Sequence, residues 1–321
     1  MKIKEFNLII VVIFNLVLIF QPYQVYGSNF SEPIIADHSI MNVIRYDQIP
    51  DSIITTTKNT LHIAYQHTSH GSQITDGMSA LPSFKEGLGG TLNLYDFNSS
   101  FLHDYAMPSV PDVGYEGWAD ATRDYLDNPE NADCNVIMWS WCGQASSQTE
   151  QSMIDHYLTP MAQLEQEYPN VMFVYMTGHV DGTGLDGNLH QRNEQIREFC
   201  ISGNRILFDF ADIESYDPDG IYYGDKNVND DCSWDDGINS GNWALEWQAS
   251  HTEGVDWFSC SCAHSQALNG NQKAYAIWWL WAKLSGWETT ITESLSSISF
   301  VVFLVLSFIS IVSKQTQIKK Q

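Results

Sequence analysis

Two histidines and two serines stand within six residues in the stretch Tyr65-Gln66-His67-Thr68-Ser69-His70-Gly71-Ser72-Gln73. The stretch follows an apolar run at residues 61–65 that reads as a buried strand, and it precedes a segment with helical spacing. A strand that ends in a small, hydroxyl-rich turn and re-enters a helix is where α/β folds place a nucleophile or a bound anion. Backbone N–H groups at the helix start point at the ligand, and the helix dipole favours developing negative charge. Capping would account for Thr68, Ser69 and Ser72, but it leaves the two histidines without a role.

Further polar clusters recur in the same context. Strand-like apolar runs fall at residues 61–65, 92–95, 135–139, 171–176 and 206–210. Segments with apolar residues three and four apart lie between several of them, at 153–168 and 188–201, and another follows at 272–284. This alternation predicts a mostly parallel sheet with helices on both faces. Cys142-Gly143-Gln144 follows the third run, Thr177-Gly178-His179-Val180-Asp181-Gly182 the fourth, and Asp209 with Asp212 closes the fifth. His264 stands just before the last helix. In a parallel sheet these strand ends share one edge, where ligand crevices form. Residues 212–260, rich in Asp, Asn, Gly and Trp, break the rhythm and read as an irregular excursion.

The ends of the chain predict its compartment. Residues 1–27 have the basic start, apolar run and small-residue exit of a secretory signal. Residues 28–57 form an N-terminal extension, and the body runs over 58–288. Residues 294–313 contain an uncharged apolar run long enough for one bilayer crossing, with lysines following in a 314–321 tail. The expected protein is a single-pass cell-surface protein with its body outside, anchored in the membrane at its C-terminus. Asn29-Phe30-Ser31 and Asn98-Ser99-Ser100 are glycosylation sequons. In an exported chain, the six cysteines at 134, 142, 200, 232, 260 and 262 suggest disulfides. The spacing of Cys260, Cys262 and His264 also permits zinc ligation from one face of an extended segment. A formal charge of −24, from 39 acidic and 15 basic residues, repels phosphate backbones and argues against nucleic-acid binding. The 11 tryptophans suggest a large core or a carbohydrate-facing surface.

With these pieces in place, the chain resembles a divergent member of the SGNH (GDSL-type) hydrolase superfamily over roughly residues 58–287. The resemblance rests on His67-Thr68-Ser69-His70-Gly71, and on Cys262-Ala263-His264-Ser265 with the helix Lys273-Ala274-Tyr275-Ala276-Ile277-Trp278 behind it. It implies a three-layer, flavodoxin-like α/β fold around about five mostly parallel strands. Ser69 would be the nucleophile, with Ser72 as the alternative, and His264 its general base. Gln144 and Gly143 would stand at the oxyanion position, with Gly114 or Gly117 as a further donor. The family's acid position holds Ser261 here, so Asp256 or Asp209 would orient His264, or the site is a dyad. The residue before the serine is Thr68 rather than the usual aspartate.

The expected activity is hydrolysis of an acyl or acetyl ester, on a glycan by analogy with fold and compartment, through an acyl-serine intermediate and with no cofactor. His67, His70, His179 and Asp181 would contact substrate. Two alternatives follow from the same residues. His67, His70, His179, Asp181 and His264 could hold a metal that activates water. A surface glycan-binding or adhesion module could also have been built on a scaffold that lost catalysis. The acidic loop from Asp217 to Asp231 could take calcium through oxygen ligands, although it lacks EF-hand spacing.

Overall fold

A computed structural model describes residues 30–288. The chain divides after Ser285, and everything below concerns the unit that ends there. The expected signal segment and membrane span lie outside the described residues. Among the described residues no helix is long and apolar enough to cross a membrane.

Six strands form one sheet: β1 (Ile34–Ala36), β2 (Ile63–Gln66), β3 (Leu102–Asp104), β4 (Val136–Trp139), β5 (Met172–Met176) and β6 (Ile206–Phe208). Their order is β1-β6-β5-β4-β2-β3, and every pairing is parallel. Without β1, the order of the remaining five is that of flavodoxin-like folds. All residues of β2, β4 and β6 are buried, as expected for parallel strands covered on both faces.

The longer helices are α1 (Asp51–Thr60), α2 (Ser69–Gly87), α3 (Trp118–Asp127), α4 (Thr159–Glu167), α5 (Asn188–Ser202), α6 (Trp243–Ser250) and α7 (Ala267–Leu284). α7 packs on α1, α2, β1 and β6, whereas α4 and α5 pack on β5, with α3 against α4. These two groups make the outer layers. The contact between α2 and α7 is backbone-close, because a Cβ at Gly77 would sit 2.2 Å from the Gly270 carbonyl oxygen.

Two expectations about strands change. Residues 28–57 are not a simple extension, since β1 pairs with β6 from Ile34↔Ile206 to Ala36↔Phe208. The run at 92–95 is no strand: Asn93 has φ +58° and Leu92 is exposed. The edge strand is β3 instead.

Seven of the eleven tryptophans are buried, and Trp234, Trp257, Trp279 and Trp287 are partly buried. Trp139, Trp141, Trp243, Trp278 and Trp281 are all fully buried. The excursion has its own small core around Tyr223, Trp243 and Trp247, and carries the antiparallel pair β7 (Ser233–Asp235) and β8 (Ser240–Asn242).

Candidate active site

β2 lies between β3 and β4, so the chain leaves it in opposite directions on the two sides. The crevice outside the carboxyl ends of β2 and β4 is the topological switch point, where such folds bind ligands. α2 begins there at Ser69, directly after Thr68. Thr68 is clamped by Asp112, whose carboxylate accepts from the Thr68 N–H at 2.7 Å and its hydroxyl at 2.6 Å. Gly71 lets this helix start press against β4. A Cβ there would lie 2.4 Å from the His67 Cβ and 2.7 Å from that of Ser140.

The close approach brings α2 to Cys142, at the end of the segment after β4. The Cys142 sulfur lies 3.3 Å from the Ser69 Oγ and 3.3 Å from the His70 Nδ1. On its other side the His70 Nε2 lies 3.0 Å from an Asp230 oxygen. His70 is buried and sits between two further imidazoles. His179 stacks on it at 4.1 Å and 6°, and His264 at 4.5 Å and 16°. His264 is exposed and holds φ +64°, a left-handed conformation that is strained for a residue with a Cβ.

These contacts polarise the pair. Burial opposes charge on His70, but its hydrogen bonds with Asp230 and Cys142 outweigh it and raise the pKa to about 9, with a smaller contribution from the Glu214 carboxylate. The hydrogen bond with His70 lowers the Cys142 thiol to about 6 against the opposing effect of burial, and the Ser69 hydroxyl and Gly143 amide add to the fall. Burial likewise works against charge on Asp230, yet the bond with His70 holds its pKa below the ordinary carboxylate value. Between these limits the pair is a thiolate and an imidazolium, the form that makes cysteine a nucleophile near neutral pH.

The expected residues divide into several groups. Ser69 reaches the centre, but its hydroxyl faces Cys142. Among the described residues it has no hydrogen bond to His264. Ser72 turns away and donates to the Ser69 carbonyl at 2.9 Å. His179 and His264 are present as the stacking partners of His70. His67 is fully buried and bonded to Asp104 at 2.7 Å. Asp181 accepts from Thr183 within its own turn.

Gln144 is not free to be an oxyanion donor. Its amide donates to the Val113 carbonyl at 2.7 Å, and its oxygen accepts the Cys142 N–H at 3.2 Å. It fixes the backbone of Cys142 instead. Gly143 is open, with nothing within 4 Å of where a Cβ would stand. Gly114 packs under Trp141, and Gly117 starts α3 with φ +87°. Neither proposed acid orients His264. Asp209 is held by Arg197 at 2.6 and 2.7 Å, and Asp256 accepts from the Thr252 N–H at 2.9 Å.

All six cysteines are free thiols, so the expected disulfides are absent from this structure. Cys142 faces an imidazole rather than another sulfur, and Cys200 is buried in the core. The carboxylates of the 217–231 loop do not converge on a common point among the described residues. Asp217 accepts from the Asp219 and Ile221 N–H groups, and Asp231 from Ser233.

Two groups do present candidate metal ligands within 4.8 Å of one another: His70 with His179 and Asp230, and Asp37 with His38 and Asp212. In the first, the His70 and His179 rings are nearly parallel and face to face. As they stand, they cannot both direct an in-plane lone pair at one ion about 2.0–2.1 Å away.

Sequence reasoning put Cys142 on the ligand edge and Asp230 in the acidic loop, but joined neither of them to His70. Cys142 carried a usable signal, a cysteine followed by glycine at the end of a central parallel strand. Asp230 carried none, being 160 residues from its partner histidine. Neither a scan of protein-family models nor a search of curated proteins found a match for the chain.

Proposed function

We propose that the protein is an acyl hydrolase in which Cys142 is the nucleophile, His70 the general acid–base, and Asp230 the residue that orients His70. The observation that carries this reading is the Cys142–His70–Asp230 chain at 3.3 and 3.0 Å, at the sheet's topological switch point. The Cys142 thiolate attacks an acyl carbonyl and forms the S–C bond. The Ser69 hydroxyl and Gly143 amide stand beside the sulfur, where the oxyanion develops. Collapse expels the alcohol or amine, which takes the proton from His70. Water then attacks the thioester, giving its proton to His70 and restoring the thiolate.

The reading keeps the ester-hydrolase class that the SGNH resemblance implies, but moves the bond-forming atom from the Ser69 hydroxyl to the neighbouring sulfur. A binding-only scaffold has no need of an acidic thiol facing an imidazolium, so the contact favours an enzyme over an adhesion module. The glycan expectation loses much of the support it drew from tryptophan, because seven of the eleven rings fill the core. A cleft of about 320 Å³ adjoins the centre at His179, with Leu185, Leu189, Tyr216 and Tyr222 among its walls, and offers a place for the acyl or leaving group.

The experiment is acyl-enzyme trapping with p-nitrophenyl acetate and peptide mass mapping. An acetyl group on Cys142 is expected. Acetylation of Ser69, with Cys142 unmodified, would restore the serine mechanism.

A further inference from the structure

Beneath the stacked histidines lies a fully buried ion pair that the acyl-transfer chemistry itself does not use. The Lys273 Nζ is 2.7 Å from Glu214 Oε2, and neither side chain has any exposure. A buried ion pair is weak support for stability. Desolvation offsets most of the attraction, and an apolar pair of the same volume often does as well. Its place in a core of tryptophans calls for another reason, and the partners supply one.

Each arm of the pair ends on a segment that carries one of the three histidines. Lys273 donates to the Gln73 oxygen, and Gln73 lies in α2 three residues after His70. The amide of the same Gln73 donates to the carbonyl of Ala263, the residue before His264. Glu214 Oε1 accepts the N–H of Val180, the residue after His179. Asn269 donates to Glu214 at 3.4 Å and to Ser265, the residue after His264, at 2.7 Å. Gln73, Glu214, Asn269 and Lys273 are all 0% exposed. The remaining face of the ammonium lies over the Phe210 ring, 3.6 Å from its centroid.

We infer that Glu214 and Lys273 are positioning residues of the catalytic centre, a single buried pair that sets the spacing and register of the His179–His70–His264 stack. Their geometry explains how His264 is held in a left-handed conformation in an exposed turn, with hydrogen bonds on both sides of it. It also explains why a carboxylate is kept beneath an imidazole that must hold a proton. The groups facing His70 are Cys142 and Asp230 at its nitrogens, His179 and His264 on its faces, and Glu214 and Asp112 at longer range.

The inference rests on the cysteine reading, and its test separates the two. Glu214→Gln combined with Lys273→Met removes both charges at nearly constant volume, so the fold should survive. In the full chain, this variant should keep a cooperative melt. It should lose about 100-fold in kcat on p-nitrophenyl acetate with little change in KM, as expected for a misplacement of roughly 1 Å. The pH midpoint for Cys142 alkylation by iodoacetamide should rise.

Gln73→Met cuts the arm to Ala263 and the bond that the Gln73 oxygen accepts from Lys273, but leaves both charges of the ion pair in place. It should move kcat and the midpoint in the same directions, and it decides the matter if the double variant does not fold. Wild-type kcat and an unmoved midpoint in a folded double variant, or in Gln73→Met, would overturn the positioning role. Full activity in Cys142→Ala would instead overturn the reading beneath it.

Discussion

The Cys142 sulfur stands 3.3 Å from the His70 Nδ1, and the thiol's pKa is lowered to about 6 while that of the imidazole is raised to about 9. Either group alone would be ordinary: cysteine thiols are mostly protonated at neutral pH, and buried imidazoles tend to lose charge. Together each supplies the partner that the other's charge requires.

Nucleophile replacement gives the first expected outcome. Cys142→Ala should remove nearly all hydrolysis of a small chromogenic ester. Ser69→Ala should keep a measurable rate, reduced by up to about 100–1000-fold if its hydroxyl is an oxyanion donor. Steady-state kinetics on the two variants distinguishes the cases, since a serine nucleophile reverses their order.

Asp230→Asn keeps the shape of the side chain but removes the charge that orients His70. The loss in kcat should approach about 10,000-fold, the scale seen when the acid of such a triad is neutralised. The alkaline limb of activity should also fall below about 9, because the bond from Asp230 helps to raise His70. A variant with unchanged limbs and rate would assign Asp230 to the scaffold.

The pH profile of kcat/KM should be bell-shaped. Activity should rise as pH increases through about 6, where Cys142 loses its proton, and fall through about 9, where His70 loses the proton needed by the leaving group. A profile that only rises through the ordinary thiol range would contradict the ion pair.

Gly77→Ala probes the frame that carries the site. Its Cβ would meet the Gly270 carbonyl at 2.2 Å, so α2 and α7 must move apart. Overpacking of this kind costs about 1–3 kcal/mol, read as a lower midpoint in urea unfolding. Gly87→Ala, with nothing within 4 Å of its Cβ, serves as the control and should leave the midpoint nearly unchanged.

The sheet was largely readable because buried parallel strands are continuous apolar runs with polar turns after them, as at β2, β4, β5 and β6. β1 was not readable, since three residues form a strand only by pairing with β6. At 92–95 the apolar residues belong to a turn through Asn93, which local composition could not separate from a strand. The turn after β2 stands out in the sequence, and the structure places it at the crevice outside the carboxyl ends of β2 and β4. The contact between Ser69 and Cys142 was not legible in the sequence, because the two are far apart along the chain and meet only once the sheet forms. Cysteines in a chain that looks exported were read as disulfide partners, and the contact between Cys142 and His70 gives one of them another use. Asp230 comes from an irregular excursion with no periodicity to mark it.

The most direct test is the pH dependence of iodoacetamide alkylation at all six cysteines, mapped by peptide mass. Burial raises the pKa of Cys134 and Cys262 to about 11 and that of Cys260 to about 12, and pushes Cys200 and Cys232 higher still. Near pH 7 the label should therefore enter Cys142 alone, with a midpoint near 6, and hydrolysis should be lost in step with it. Labelling of Cys142 only in the ordinary thiol range, or full activity after complete labelling, would contradict a thiolate–imidazolium centre.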